Sequence, residues 1–232
     1  STTGGTLLEV GSGANILGNG GFESHEDDIS FATTLQGSPA AAVSNAEPNV
    51  VDNWVPAIPN NYIFYINDQS DAVNNPEGDH FMWIPGNSFC WATNSSIATS
   101  FPFEDGKPYV FSFYAAPWHA ALNGSGFPTG SGVSQSAGTI SVEAIFGNGS
   151  TPKQISEWKI PASSSWNNLN WQKFYYLFTY DAANPLKSVY FTNPGNVGIA
   201  IDGVEIRKVV QCEVEICNNG LDDDGDGLVD CD

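Results

Sequence analysis

Thr139-Ile140-Ser141-Val142-Glu143-Ala144-Ile145-Phe146 places an apolar residue at every second position of its first half and ends on an apolar pair. A period of two belongs to a β-strand, whose successive side chains point to opposite faces. Ile140, Val142, Ala144 and Phe146 are therefore expected to face one way. Runs of similar character lie on both sides. Before it come Tyr62–Ile66, His80–Ile84 and Tyr109–Tyr114; after it come Phe174–Tyr180, Ser188–Phe191 and Gly198–Ile206. Each is short, rich in β-branched or aromatic residues, and bounded by Gly, Pro, Asn or Asp. No stretch keeps a 3.6-residue amphipathic period over three turns. The segment from Gly37 to Ala46 is small and Ala-rich, and its Gly37 and Pro39 favour a loop over a helical turn. Many strands with turns at short spacing mean an all-β fold, a two-sheet sandwich or a barrel.

The chain has 232 residues, enough for one large all-β domain or two small ones with a sizeable core. No run approaches the roughly 18 apolar residues of a membrane helix. The start, Ser1-Thr2-Thr3, lacks Met and a signal-peptide pattern, so it reads as a processed or excised end. Charge is uneven. The first 106 residues carry 13 acids and no Lys or Arg, and residues 212–232 carry 8 acids and no base. A net charge of −19 argues against nucleic acid and anionic lipid as partners, because neutralising phosphate requires clustered cations. It favours cations and neutral ligands.

The C-terminal stretch from Cys212 to Asp232 concentrates chemistry. Asp222, Asp224 and Asp226 alternate, Gly227 follows, and Asp230 completes the set. Alternate carboxylates on a tight loop supply the several oxygens, at about 2.3–2.6 Å, that Ca²⁺ takes. A solvated acidic tail is the plainer alternative. The EF-hand pattern is not completed, because its final Glu would fall at 233. The run instead resembles a thrombospondin type 3 repeat at 222–230. It is also similar to the Cys-bracketed segments between modules of large bacterial surface proteins. Cys212, Cys217 and Cys231 bracket the loop and point to an oxidising, extracellular or cell-surface setting. Cys217–Cys231 is the favoured pairing. Cys212–Cys231 is the looser alternative, and Cys90 is either a buried thiol or a partner of Cys212.

A second resemblance spans residues 14–208. Asn15-Ile-Leu-Gly-Asn19-Gly-Gly-Phe22-Glu23 resembles the opening of carbohydrate-binding modules of families 4 and 9 and their galactose-binding-like relatives. Asp52-Asn-Trp54, Gly78–Trp83, Gly106–Tyr114, Trp171–Tyr175 and Ile199–Ile206 follow in the same order, with insertions at 26–50 and 116–136. The resemblance implies a jelly-roll β-sandwich over 14–210. An N-terminal extension at 1–13 precedes it, and the calcium tail at 211–232 follows. It also implies a structural calcium shared by Glu23 and Asp202, tying the terminal strands together; the alternative is that Asp202 accepts turn or backbone hydrogen bonds.

Sugar recognition uses aromatic faces stacked on pyranose rings, with amides and carboxylates orienting hydroxyls. The chain holds 7 Trp, 8 Tyr and 14 Phe, and most must be core. Trp54 and Trp171 match family positions that read as packing, and Trp83 reads as core. Trp118 with His119 opens the long insertion, where loop residues collect ligands. Trp91, Tyr62, Tyr65 and Trp166 are the further carbohydrate-binding candidates. Catalysis finds little support: His25, His80 and His119 lack metal-ligand spacing, and no nucleophile elbow or zinc helix occurs. A glycosidase pair such as Glu143 with Glu157 is conceivable on residue type alone. The expected function is a non-catalytic extracellular module that binds a neutral polysaccharide or surface glycan, stabilised by calcium. The alternative is a structural or adhesive repeat of a bacterial surface adhesin or filament that meets neighbouring modules or protomers and binds no small ligand.

Overall fold

The structure is a computed structural model. It describes residues 8–10, 20–22, 32–33, 39–43, 54–56, 63–67, 74–78, 80–84, 88–92, 103–118, 136–151, 153–164 and 168–211. For 8–10, 32–33, 39–43, 54–56, 63–67, 88–92 and 210–211 it describes the backbone alone.

Every long regular element among these residues is a strand. In chain order they are β1 (Leu8–Val10), β2 (Ala32–Thr33), β3 (Pro39–Val43), β4 (Trp54–Pro56), β5 (Ile63–Asn67), β6 (His80–Ile84) and β7 (Ser88–Ala92). Then follow β8 (Pro108–Pro117), β9 (Gly138–Phe146), β10 (Lys153–Ile160), β11 (Gln172–Thr179), β12 (Leu186–Asn193) and β13 (Ile199–Gln211). They form two antiparallel sheets. One runs β11-β8-β13-β6-β5-β3-β2, with β1 added on the end of β13; the other runs β10-β9-β12-β7-β4. The chain is an all-β, two-sheet sandwich of the jelly-roll kind.

The alternation read from 139–146 is what joins the sheets. Ile140, Val142 and Ala144 are fully buried, and Phe146 packs against the same cluster from a less buried position. Opposite them stand Phe111, Phe113 and Ala115 of β8 and Ile201, Val204 and Ile206 of β13. Each buried Val, Ile or Phe among them contributes about 1.5–3 kcal/mol. Phe113 sits at the middle of the aromatic packing, with Phe191 at 4.9 Å, Trp158 at 5.3 Å and Phe174 at 5.6 Å between ring centroids.

Strands expected at 62–66, 80–84, 109–114, 139–146, 174–180, 188–191 and 198–206 are present with shifted ends. The loop expected at 37–46 instead holds β3, paired to β5 from Ala40↔Ile66 to Val43↔Ile63. Alanine is a poor strand former by itself, and the ladder to β5 overrides that propensity. Five more strands, β1, β2, β4, β7 and β10, carried no clear signal. β10 is a polar edge strand with most residues exposed or half-buried, so its pattern lacks the apolar face of an inner strand. β7, Ser-Phe-Cys-Trp-Ala, shows no alternation at all. Residues 8–10, within the expected N-terminal extension, pair with Val209–Gln211.

Candidate functional site

The solvent side of the five-stranded sheet is built by the polar half of the alternation. Across the ladder, Gln154 stands opposite Glu143, Glu143 opposite Tyr190, Tyr190 opposite Trp91, and Trp91 opposite Val55. A second row runs Glu157, Ser141, Thr192 and Phe89. Directly opposed residues of an antiparallel pair share a face. Gln154 and Glu157 are three apart, a spacing that would put them on opposite faces of a regular strand. The register shift between Gln154 and Ser156 absorbs one residue and brings both to the same side.

Ser141, Glu143, Gln154, Glu157, Thr192 and Asn193 line a depression of about 280 Å³. The Ser141 hydroxyl donates to Glu157 Oε2 at 3.3 Å and accepts from Gln154 Nε2 at 3.4 Å. Lys159 lies 3.5 Å from Glu157 Oε1 and donates to Thr139 Oγ1 at 2.9 Å. Asn193 builds the rim: its Nδ2 donates to Ile84 O and Val197 O, and its Oδ1 accepts from Gly195 N. Burial pushes the Tyr190 hydroxyl above its ordinary range; a hydrogen bond with Ser188 opposes the rise, and the negative charge of Glu143 adds to it.

The residues expected to bind sugar do not gather there as a group. Trp118 is 1 % exposed and lies against the other sheet, with Phe81 at 5.5 Å and Trp83 at 5.9 Å. Its backbone oxygen accepts from Trp83 Nε1 at 2.6 Å, and its N–H donates to Gly198 O at 2.8 Å. A ring so covered offers no face for stacking, so Trp118 packs where ligand contact was expected. Tyr65 is in β5 across from Met82, a core residue of the other sheet. Trp91 is the one candidate that the register sets beside Tyr190. His119, Tyr62 and Trp166 lie outside the described residues. Tyr190, Ser141 and Thr192 were missed, although the polar positions of the 139–146 alternation were the available signal. Glu143 and Glu157, which sequence could not bring together, line the same depression.

The expected calcium site is described on one side only. Asp202 is fully buried; its Oδ2 accepts from Glu77 N at 2.9 Å and its Oδ1 from Gly203 N at 2.7 Å. Val204 N donates to Gly20 O at 2.9 Å, which places the opening motif against the closing strand. A Cβ on Gly203 would come within 3.2 Å of Glu77 Cδ, so that carboxyl group also stands close by. Both Asp202 oxygens thus accept backbone N–H groups, as the alternative reading has it, while the Asp202 and Glu77 carboxylates and the Gly20 carbonyl are oxygen donors of the kind calcium takes. Glu23, Asp222, Asp224, Asp226, Asp230, Cys217 and Cys231 lie outside the described residues. Among the described residues no group of three or more His, Cys, Asp or Glu is arranged to hold a metal, and no helix is long and apolar enough to cross a membrane.

No protein-family model and no curated protein matches the chain. Solved structures do. A cyclase from Fischerella sp. TAU is 13% identical with a TM-score of 0.52, covering 85% of this chain and 97% of the cyclase. A xylan-binding domain of carbohydrate-binding module family 22 is 14% identical with a TM-score of 0.42, covering 82% and 99%. The module 22–glycoside hydrolase 10 portion of a Clostridium thermocellum xylanase, complexed with xylohexaose, is 10% identical with a TM-score of 0.46 over 72% of this chain; the match spans 28% of that longer chain. Identities this low establish a shared fold and nothing finer.

Proposed function

We propose that the chain is a non-catalytic extracellular module that binds neutral polysaccharide across the solvent face of its five-stranded sheet. The observation that carries this reading is the ladder row Gln154–Glu143–Tyr190–Trp91, with Ser141, Thr192 and Glu157 in the row beside it. An aromatic strip supports the apolar face of a sugar ring, and flanking amide, hydroxyl and carboxylate groups take its hydroxyls. Strands spaced about 4.8 Å apart make a five-strand face roughly 19 Å wide, room for several sugar units laid across it. Glu143 and Glu157 disfavour an acidic glycan, and the nearby Lys159 is already engaged by Glu157 and Thr139.

The same carboxylates do not argue for hydrolysis. A glycosidase needs its acid and its base or nucleophile on either side of the scissile bond. Glu143 and Glu157 project from one sheet face, so a chain lying on it meets both from below. Calcium enters this reading as a structural ion: Asp202, with Glu77 and the Gly20 carbonyl nearby, supports a site completed by Glu23, and Asp222–Asp230 supplies a second. When bound, the ion would neutralise the buried Asp202 carboxylate and tie the segment at Gly20 to β13. The four cysteines support an extracellular or cell-surface location.

The test is calorimetric titration of the full chain with neutral β-linked polysaccharides, with polygalacturonate as the acidic control. Binding to a neutral polymer and about a tenfold loss of affinity (about 1.4 kcal/mol) in Tyr190→Ala and in Trp91→Ala is the expected outcome. Titrations that stay blank, or affinity that neither substitution changes, would remove this sheet face as the site and shift the reading to a surface repeat.

A further inference from the structure

β10 and β11 end their respective sheets, and Ile155 of β10 shares one apolar slot with Tyr176 and Phe178 of β11. The two edges are finished differently. β10 has an irregular register at Gln154/Ser156 and exposed Lys153 and Lys159, devices that discourage a further strand from pairing. β11 has neither bulge nor proline: its register with β8 is unbroken from Gln172↔Ala115 to Thr179↔Pro108. Its solvent face carries Tyr175, 55% exposed, and Leu177, 54% exposed, the large apolar side chains left open among the described residues. Among those residues no strand pairs with its outer side.

We propose that β11 pairs antiparallel with β11 of a second copy of this chain, about a two-fold axis at Tyr176. That register is self-complementary. It sets Tyr175 of each copy across from Leu177 of the other, so both exposed apolar residues are covered twice over. Displacing the register by one residue would set the exposed face of one copy against the inward face of the other. Charge selects this edge as well. Copies of a chain with net charge −19 repel, and association needs a patch where acids are missing. From Trp158 to Tyr180 there is no Asp or Glu, and Glu205, near β11 on the same face, is already paired with Lys173 and Arg207. In the two-fold register Lys173 stands across from Thr179 of the other copy, just short of its Asp181. Each end of the ribbon thus brings Lys173, which pairs with Glu205 of its own copy at 3.2 Å, toward an aspartate of the other copy as well. The pairing is independent of the saccharide reading, since it uses the opposite sheet.

Sedimentation velocity on the full chain over a concentration series tests it. The chain is expected to sediment as a concentration-dependent dimer. Tyr175→Lys and Leu177→Glu should each give monomer with an unchanged melting temperature, because both side chains point to solvent. An equimolar mixture of the two variants should recover a dimer, since the introduced lysine and glutamate then face each other while the remaining Leu177 and Tyr175 still meet. A wild-type chain that stays monomeric throughout, a dimer that survives both substitutions, or a mixture that stays monomeric would overturn the proposal.

Discussion

The solvent face of the five-stranded sheet and the outer face of the eight-stranded sheet are both made by alternating strands, yet one is open and the other largely sealed. On the eight-stranded sheet, Phe81 and Trp83 project away from the main core and would be exposed if strands were all there was. Chain segments after β8 and before β11 fold over them, bringing Trp118 and Trp171 edge-on to Phe81. Asn74 pins the second segment through paired hydrogen bonds with Leu169. Farther along the same face, Glu205 is closed in by Arg207 at 2.8 Å and Lys173 at 3.2 Å. The five-stranded face carries Tyr190 beside Ser141, Glu143 and Thr192 instead, and the last three line a depression rather than a second core. An aromatic residue becomes a candidate ligand contact through what covers it, not through its type or its loop position.

Trp118→Ala breaks the sealed face most directly. Removing a buried Trp is expected to cost about 3–5 kcal/mol, read as a large fall in unfolding midpoint, while polysaccharide affinity below the new transition stays unchanged. A variant that loses binding without losing stability would exchange the roles of the two faces. Chelation comes next. If calcium saturates the Asp202 site about a hundredfold above its Kd, EDTA should remove about 2.7 kcal/mol from that site and lower the melting temperature by roughly 5–10 °C, a shift that calcium reverses and magnesium does not. A chain indifferent to chelator would leave Asp202 held by its backbone donors alone.

The ion cluster on the sealed face sharpens the contrast through pH. Burial pushes the Glu205 carboxyl upward, but hydrogen bonds from Arg207 and Lys173, with their charges, outweigh it and hold the group below the usual carboxylate range. A pKa lower in the folded than in the unfolded chain means that the unfolded chain binds more protons between the two values. The resulting stability is fully present above about pH 4.3, the ordinary Glu value, and is lost as pH falls through the folded value. Denaturant unfolding of Glu205→Gln at neutral pH is expected to show a loss of about 1.5–3 kcal/mol and a flatter profile below pH 5. An unchanged acid profile would show that the cluster does not hold this face. The smallest effect belongs to Lys208, whose partner Glu104 is well exposed. Lys208→Ala should leave the unfolding midpoint nearly unchanged, and any difference should vanish in high salt.

Much of the fold was legible locally. Seven of the strands lie where β-branched and aromatic runs meet turn residues, and the period of two at 139–146 named the core positions of β9. What was not legible depended on neighbours. β3 is alanine-rich and becomes a strand because β5 presents an edge to it. β10 is mostly polar because it closes a sheet, and only its irregular register explains how Gln154 and Glu157 share a face. The candidate site suffered more. Trp118 follows a strand and a proline and opens a long insertion, features that read as an exposed loop tip, and it is covered by Phe81 and Trp83. Tyr190 sits inside the run Ser188–Phe191 with nothing local to separate it from core tyrosines; its pairing with Glu143 on one side and Trp91 on the other sets it apart.

The chain by itself determined an all-β sandwich, the residues that one strand turns inward, and a net charge of −19, because these follow from side-chain period, propensity and ionisation. Tertiary structure decided which sheet face stays open, which aromatics are sealed, and which carboxylates share a depression. Those outcomes depend on strand order, register and the path of connecting segments, and these bring together residues far apart along the chain, such as Glu143 and Tyr190, through contacts that no local pattern encodes.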